Sequence, residues 1–182
     1  MIDAAIDAFA TKGFHGTTTR DIASAAGMSP AALYVHYRSK EELLHRISKT
    51  GHEATLQLVR DSVATSTDPV EQLTELVRQF TMSHARGSTS ARIVNYEMAA
   101  LNPEHRAEIR AIRRSIDAAL RSVLDAGLAS GAFHTPDTHL TAAALLSLGI
   151  DIARWYRADG DWTPEQIAEH YCMMALRIVG AA

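Results

Sequence analysis

The sequence predicts an all-α chain, with three short helices and a tight turn at the N-terminus followed by a longer helical bundle. Three observations carry that expectation. Apolar residues recur three and four apart through most of the 182 residues, with no alternating strand pattern of useful length. Helix-starting Ser, Thr, Asp and Pro and helix-stopping Gly stand at regular intervals. A hydrophobic fraction of 47% with only 5 Pro and 10 Gly indicates an ordered core and rules out a disordered chain.

Taken in order, Ile2, Ala5, Ile6, Phe9 and Ala10 mark one apolar face, so a first helix runs from 2 to about 12 and Gly13 ends it. Thr18 followed by Asp21 approximates a capping box for a second helix of about eight residues, stopped by Gly27. Ser29 caps a third, with Pro30 at its first position, ending near Tyr37. Ser39 with Glu42 opens a long fourth helix carrying Leu43, Leu44 and Ile47. Beyond a boundary near SVATSTDP, helices are expected over about 70–85, 91–101, 103–130, 137–156 and 164–179. The breakers between them are ARGSTS, Asn102-Pro103, SGAFHTPD and ADGDWTP.

Composition narrows the function classes. The single cysteine, Cys172, allows no internal disulfide and no zinc spacing, which favours the cytoplasm. The opening MIDAAIDAFATKGF is not read as a signal peptide, and the most apolar stretch, 140–153, is too short to span a bilayer and contains Asp151. Net charge is -3 overall. Residues 1–49 nevertheless hold six Lys or Arg against five acids, so the N-terminal part is the less acidic one. No metal and no cofactor are expected. Glu42 and His45 form one Glu-x-x-His pair where a di-iron bundle needs two, His134 and His139 have no third ligand, and no nucleophile-elbow or phosphate-loop motif occurs.

Three short helices with a glycine turn between the second and third have the layout of a helix-turn-helix, whose third helix enters the DNA major groove. Ile22, Ala23, Ala26, Leu33 and Tyr37 can form its core. Thr17, Thr18, Thr19, Ser29, Tyr34, His36 and Lys40 bear hydroxyls or basic groups suited to phosphates, as do the amides at the starts of the second and fourth helices.

The segment GFHGTTTRDIASAAGMSPAALYVHYRSKEELL resembles the N-terminal signature of the TetR family of transcriptional repressors. The resemblance implies a DNA-binding domain at 1–49 with its motif at 18–37, and a ligand-binding and dimerisation domain at 50–182. It implies phosphate contacts from Tyr34, His36 and Lys40 and base contacts from Ser29, Ala31 and Ala32, with Pro30 and Tyr37 in the same interface. In that family the first helix is commonly longer and often preceded by a basic arm, which is missing here. The partners implied are palindromic operator DNA, a small-molecule effector and a second copy of the chain.

For the dimer interface, Leu140, Ala143, Ala144, Leu148, Ile152 and Tyr156, with Ile167, Tyr171, Met174, Ala175 and Ile178, could supply the surfaces; the same positions would also suit an internal core. Arg92, Asn95, Tyr96, Glu97 and Met98 form the cluster most like a pocket lining, against the alternative of a solvated face. The C-terminal ARWYRADGDWTPEQIAEHYCMMALRIVG is similar to TetR regulators of steroid and fatty acid catabolism, some of which answer to acyl-CoA thioesters. Arg154 would then hold the anionic part of an acyl-CoA or another hydrophobic acid, or else pair with Asp159 or Asp161. The alternative function is a helical small-molecule binding or interaction protein without DNA affinity.

Overall fold

The computed structural model describes residues 1–181. Its helices are α1 (Ile2–Gly16), α2 (Thr19–Ala25), α3 (Pro30–His36), α4 (Lys40–Ala64), α5 (Pro69–Arg86), α6 (Ser88–Tyr96), α7 (Pro103–Ser130), α8 (Thr138–Trp155) and α9 (Pro164–Ile178), with a 3-10 turn at Met98–Ala100. No strand occurs among the described residues, so the all-α expectation holds.

Local chemistry explains most helix ends. Gly13, at φ 70° and ψ 165°, interrupts α1 where the sequence places its end, and one more turn follows before Thr17. Thr18 and Asp21 form the expected capping box of α2. Its far end is a Schellman turn: the Gly27 amide donates to Ser24 and the Met28 amide to Ala23, with Gly27 at φ 67°. Ser29 accepts from the Ala32 amide at 3.2 Å and Pro30 opens α3.

At the start of α4, Ser39 caps the Glu42 amide at 3.1 Å, but the Glu42 carboxylate accepts from the Arg38 amide at 2.8 Å rather than from Ser39. The box is therefore displaced by one residue on one side. The segment expected as a helix over 91–101 is instead α6, which starts three residues earlier, and a 3-10 turn. Gly87 alone breaks the chain within ARGSTS, so Ser88 begins the next helix at once.

The chain packs as two units. The first comprises Met1–Glu53 and Thr89–Ala111, the second Ala54–Ser88 and the residues from Ile112 onward. Both α4 and α7 contribute residues to each.

In the first unit α1 packs on α2 and α2 on α3. Phe9, Phe14, Ile22, Leu33, Leu43 and Leu44 are buried, each contributing about 1.5–3 kcal/mol. Of the expected core, Ile22, Ala23 and Leu33 are buried, whereas Ala26 and Tyr37 are half-buried. A polar cluster joins the early turns of α4 and α7. Glu41 accepts from the Asn102 amide and meets His105, Glu108 bonds His45 at 2.7 Å and Lys49 at 2.5 Å, and the two imidazoles stack 3.7 Å apart. The Lys49 ammonium and His45 hold the Glu108 carboxyl below the ordinary carboxylate range.

In the second unit α5 packs most extensively on α9 and then on α8. Leu73, Leu76, Phe80, Leu120, Leu124, Phe133 and Leu145 form its main core. At Gly149 a Cβ would stand 2.6 Å from the Phe80 ring, so glycine is what lets α8 approach Phe80. Three residues expected at a dimer surface are buried instead, because their helical phase faces inward: Ala175 in this core, and Ile152 and Ile167 in a smaller cluster with Ala85. Leu140, Ala143, Ala144 and Ile178 are exposed, as are Trp155, Trp162 and Met173, while Leu148, Tyr156, Tyr171 and Met174 are half-buried. Among the described residues no helix is long and apolar enough to cross a membrane.

Candidate nucleic-acid interface

The first unit exposes one chemically distinct face, built by α2, the turn after it and α3. Tyr34 and Val35 are 52% and 80% exposed, and His36 and Arg38 beside them are exposed as well. The Tyr34 hydroxyl lies 3.1 Å from Thr19 Oγ1, so a hydrogen bond fixes the ring of α3 against the first residue of α2. Ser29, Pro30 and Ala31 are exposed at the start of α3 and Ala32 is half-buried. The structure therefore brings Thr18, Thr19, Ser29, Pro30, Ala31, Tyr34 and His36 to the two helices and the turn that joins them. Tyr37 is half-buried at the end of α3, where its amide caps the helix on Leu33.

Two expected phosphate contacts need correction. Thr17 is fully buried, its hydroxyl donating to the carbonyls of Ala8 (3.0 Å) and Gly13 (2.8 Å). It staples the end of α1 and presents nothing to solvent. Lys40 turns its ammonium onto the carbonyls of Phe14 (2.8 Å) and Thr17 (2.9 Å) and lies 4.5 Å over the Phe14 ring. A lysine has three N–H donors, and two are already committed to this turn. Neither role is visible in the sequence, because both depend on a carbonyl cluster that only the fold assembles.

The amide ends are also occupied. Asp21 accepts from the Thr18 amide, and its own amide donates to Thr18 Oγ1. The Lys12 ammonium at 2.7 Å and the Thr18 hydroxyl hold the Asp21 carboxyl far below the ordinary range, so it stays ionised. The exposed cations that the sequence reading passed over are Arg20 on α2 and Arg38 just beyond α3. Their signal in the sequence is a basic residue near each end of the motif. Val35 was passed over too, although it stands four residues after Ala31, one helical turn along.

The pocket residues expected in the other domain are placed differently. Arg92, Asn95, Tyr96, Glu97 and Met98 all belong to the first unit. Arg92 donates to the Ala10 carbonyl at 3.3 Å, Asn95 to Ala91 at 2.9 Å, and Tyr96 is 43% exposed. An apolar cavity of the second unit is lined by Leu76, Phe80, Leu120, Leu145, Leu146 and Met174 among others, and none of the five expected residues lines this one. Arg154 is exposed and pairs with Asp151 at 3.4 Å, one turn back on α8, rather than with Asp159 or Asp161; Asp159 is taken by Arg157.

Among the described residues no three His, Cys, Asp or Glu are grouped to hold a metal ion. Glu42 and His45 each serve the local structure, one at the Arg38 amide and the other at Glu108. His139 meets Arg121, and His134 faces the Gly180 carbonyl.

Comparison with known proteins agrees with this architecture. The description "Bacterial regulatory proteins, tetR family" matches residues 1–47 and "Tetracyclin repressor-like, C-terminal domain" matches residues 66–179. The HTH-type transcriptional repressor KstR2 of Rhodococcus jostii (strain RHA1) is 29% identical over 97% of this chain and 87% of its own length. A crystal structure of a bacterial regulatory protein in the tetR family from Rhodococcus RHA1 is 40% identical with a TM-score of 0.95, covering 100% of this chain and 95% of that one. AibR, in a crystal structure in complex with isovaleryl coenzyme A and operator DNA, is 28% identical with a TM-score of 0.89, covering 100% of this chain and 97% of that one. By motif, fold and full-length similarity, the chain belongs to the TetR family of bacterial transcriptional regulators.

Proposed function

We propose that this protein is a cytoplasmic, homodimeric repressor that leaves a palindromic operator when an acyl-CoA or a related hydrophobic acid binds its second unit. The observation that carries the reading is the exposed face of α2 and α3, on a chain similar over its full length to a regulator crystallised with operator DNA and an acyl-CoA. Thr19, Ser29, Tyr34 and His36, with Arg20 and Arg38, are assigned to the DNA backbone, and Ala31 and Ala32 with Pro30 to the base edges; the Thr18 hydroxyl and amide both donate to Asp21 and leave no donor for a phosphate.

For the effector, the apolar lining of Leu76, Phe80, Leu145 and Met174 is assigned to an apolar tail; the cavity there has a volume of about 20 Å³, so the helices that line it must separate for a tail to enter. Arg154 is assigned to the anionic end. Its pair with Asp151 is exposed, so exchanging one carboxylate for another anion costs little. For the dimer, the exposed Leu140, Trp155, Trp162, Met173 and Ile178 on and between α8 and α9 support a second copy as the partner. Two recognition helices one DNA turn apart then match a palindromic site. Effector action requires only that ligand favour the conformation with lower operator affinity, in proportion to its differential binding. The reading assigns the chain no catalytic step.

The test is fluorescence anisotropy with duplex DNA from upstream of the protein's own gene, varying salt, with scrambled duplex as competitor, then adding isovaleryl-CoA. Salt-sensitive binding that survives the competitor and falls with the thioester is the expected result. No sequence preference at any salt would overturn the DNA reading in favour of a small-molecule binding protein. Tyr34→Phe with Arg38→Ala weakens binding if the face is as assigned; Lys40 is a poor choice here, since its ammonium holds the α1 turn.

A further inference from the structure

We propose that this protein reads its operator mainly through the C5-methyl groups of thymine, with Ala31 and Val35 as the reading surface and Val35 as the specificity-determining residue. The inference rests on the DNA-binding reading above and deepens it.

Its first support is what α3 lacks. The helix is Pro30-Ala31-Ala32-Leu33-Tyr34-Val35-His36, with no Arg, Lys, Asn, Gln, Asp or Glu. Those are the side chains that pair bidentately with guanine or adenine or accept from cytosine, so α3 cannot make the usual hydrogen-bonded base readout. His36, in the last turn of α3, is assigned to the DNA backbone, and two further polar groups are engaged within the protein. Ser29 Oγ accepts from the Ala32 amide, and the Tyr34 hydroxyl meets Thr19 on α2.

The second support is what α3 displays. Val35 is 80% exposed, the most exposed of the large apolar side chains among the described residues. Ala31 is exposed one turn earlier on the same face, so the two make a short apolar stripe. In the major groove only thymine offers an apolar group, its C5-methyl, and Ala or another small apolar side chain is the matching partner. Arg20 and Arg38 lie outside α3, where the flanking elements of such a motif meet the DNA backbone.

The experiment uses the full-length protein and duplexes it selects from a random-sequence pool, each then remade with deoxyuridine in place of thymine at single positions of the half-site. Deoxyuridine keeps every hydrogen-bonding edge and removes only the methyl. The expected result is thymine at the positions facing α3 and a loss of about three- to fourfold in affinity for each methyl removed there, the worth of one buried methyl-sized group. Replacing such a thymine by 5-methylcytosine, paired with guanine, should retain more affinity than cytosine does. In Val35→Ala the thymine-to-deoxyuridine ratio should fall toward one at the position facing residue 35. That cycle separates contact from groove shape, because a shape effect of the methyl would persist in the variant. Sequence-selective binding indifferent to deoxyuridine overturns this proposal and leaves the DNA reading standing. Failure to select any sequence overturns both.

Discussion

The two packing units of this protein encode their structure on different length scales. In the first, the helix-turn-helix is held by signals within a few residues of one another: the Thr18–Asp21 box, the Gly27 turn and the Ser29 cap with Pro30. In the second, long helices meet partners far away in sequence, as Phe80 meets Gly149 and Thr74 meets Cys172. A function carried by short-range chemistry is accordingly visible in the sequence, whereas a function carried by a cavity between long helices is not. The polar cluster of Glu41, His45, Lys49, His105 and Glu108 adds a qualification, since it builds a long-range contact into the first unit as well.

The strongest way to break the comparison is to remove the one buried side chain of α3. Leu33→Ala should cost about 2–5 kcal/mol because Leu33 is only 2% exposed. Operator binding should be abolished while far-UV circular dichroism retains the signal of the second unit. If the whole chain unfolds together in urea, the units are one cooperative structure and the contrast between them is not energetic.

Gly149→Ala probes the long-range side. A Cβ would press on the Phe80 ring at 2.6 Å, and overpacking of this kind costs about 1–3 kcal/mol. Thermal melting should fall by several degrees, and an unchanged melting temperature would mean that Phe80 has room to turn.

Thr18→Ala removes the α2 cap at a cost of about 1 kcal/mol. It should weaken DNA binding as well as lower the melting temperature, since the cap sets the start of α2, which carries Thr19 and Arg20 of the proposed DNA face. Unchanged DNA binding would mean that other contacts hold the start of α2.

The smallest effect concerns pH. His84 is buried, its Nδ1 on the Phe80 carbonyl at 2.9 Å, and burial pushes its imidazole below the ordinary 6.5. The unfolded chain therefore takes up the proton more readily than the folded one. The stability this contributes is present above about pH 6.5 and is lost as pH falls from there toward the folded-state value. Melting curves taken from pH ~7.5 down to ~5.5 should show a decline that His84→Gln reduces, and an unaltered slope would assign the decline to other groups.

The limits of sequence reading appear at particular residues. Thr18, Ser29 and Gly27 were assigned correctly because a cap or a left-handed turn is a property of adjacent residues. Thr17 and Lys40 were assigned to DNA because Thr and Lys suit phosphates, but the fold points both at carbonyls left over at the end of α1. Ile152, Ile167 and Ala175 were indistinguishable from their exposed neighbours, since helical spacing separates faces but does not say which one looks inward. Arg92 and its neighbours have the composition of a pocket wall, and periodicity does not show that they pack with the first unit.

By itself the sequence determined the helical class, most helix boundaries, the helix-turn-helix and the family, all of which follow from caps, breakers, periodicity and a motif contained in adjacent residues. Only the tertiary structure decided which polar groups of the motif remain available to DNA, where an apolar cavity lies and which faces of α8 and α9 stay uncovered. The physical reason is that availability is set by partners distant in sequence: a hydroxyl, an ammonium or an apolar face serves function only if the fold has not already satisfied it.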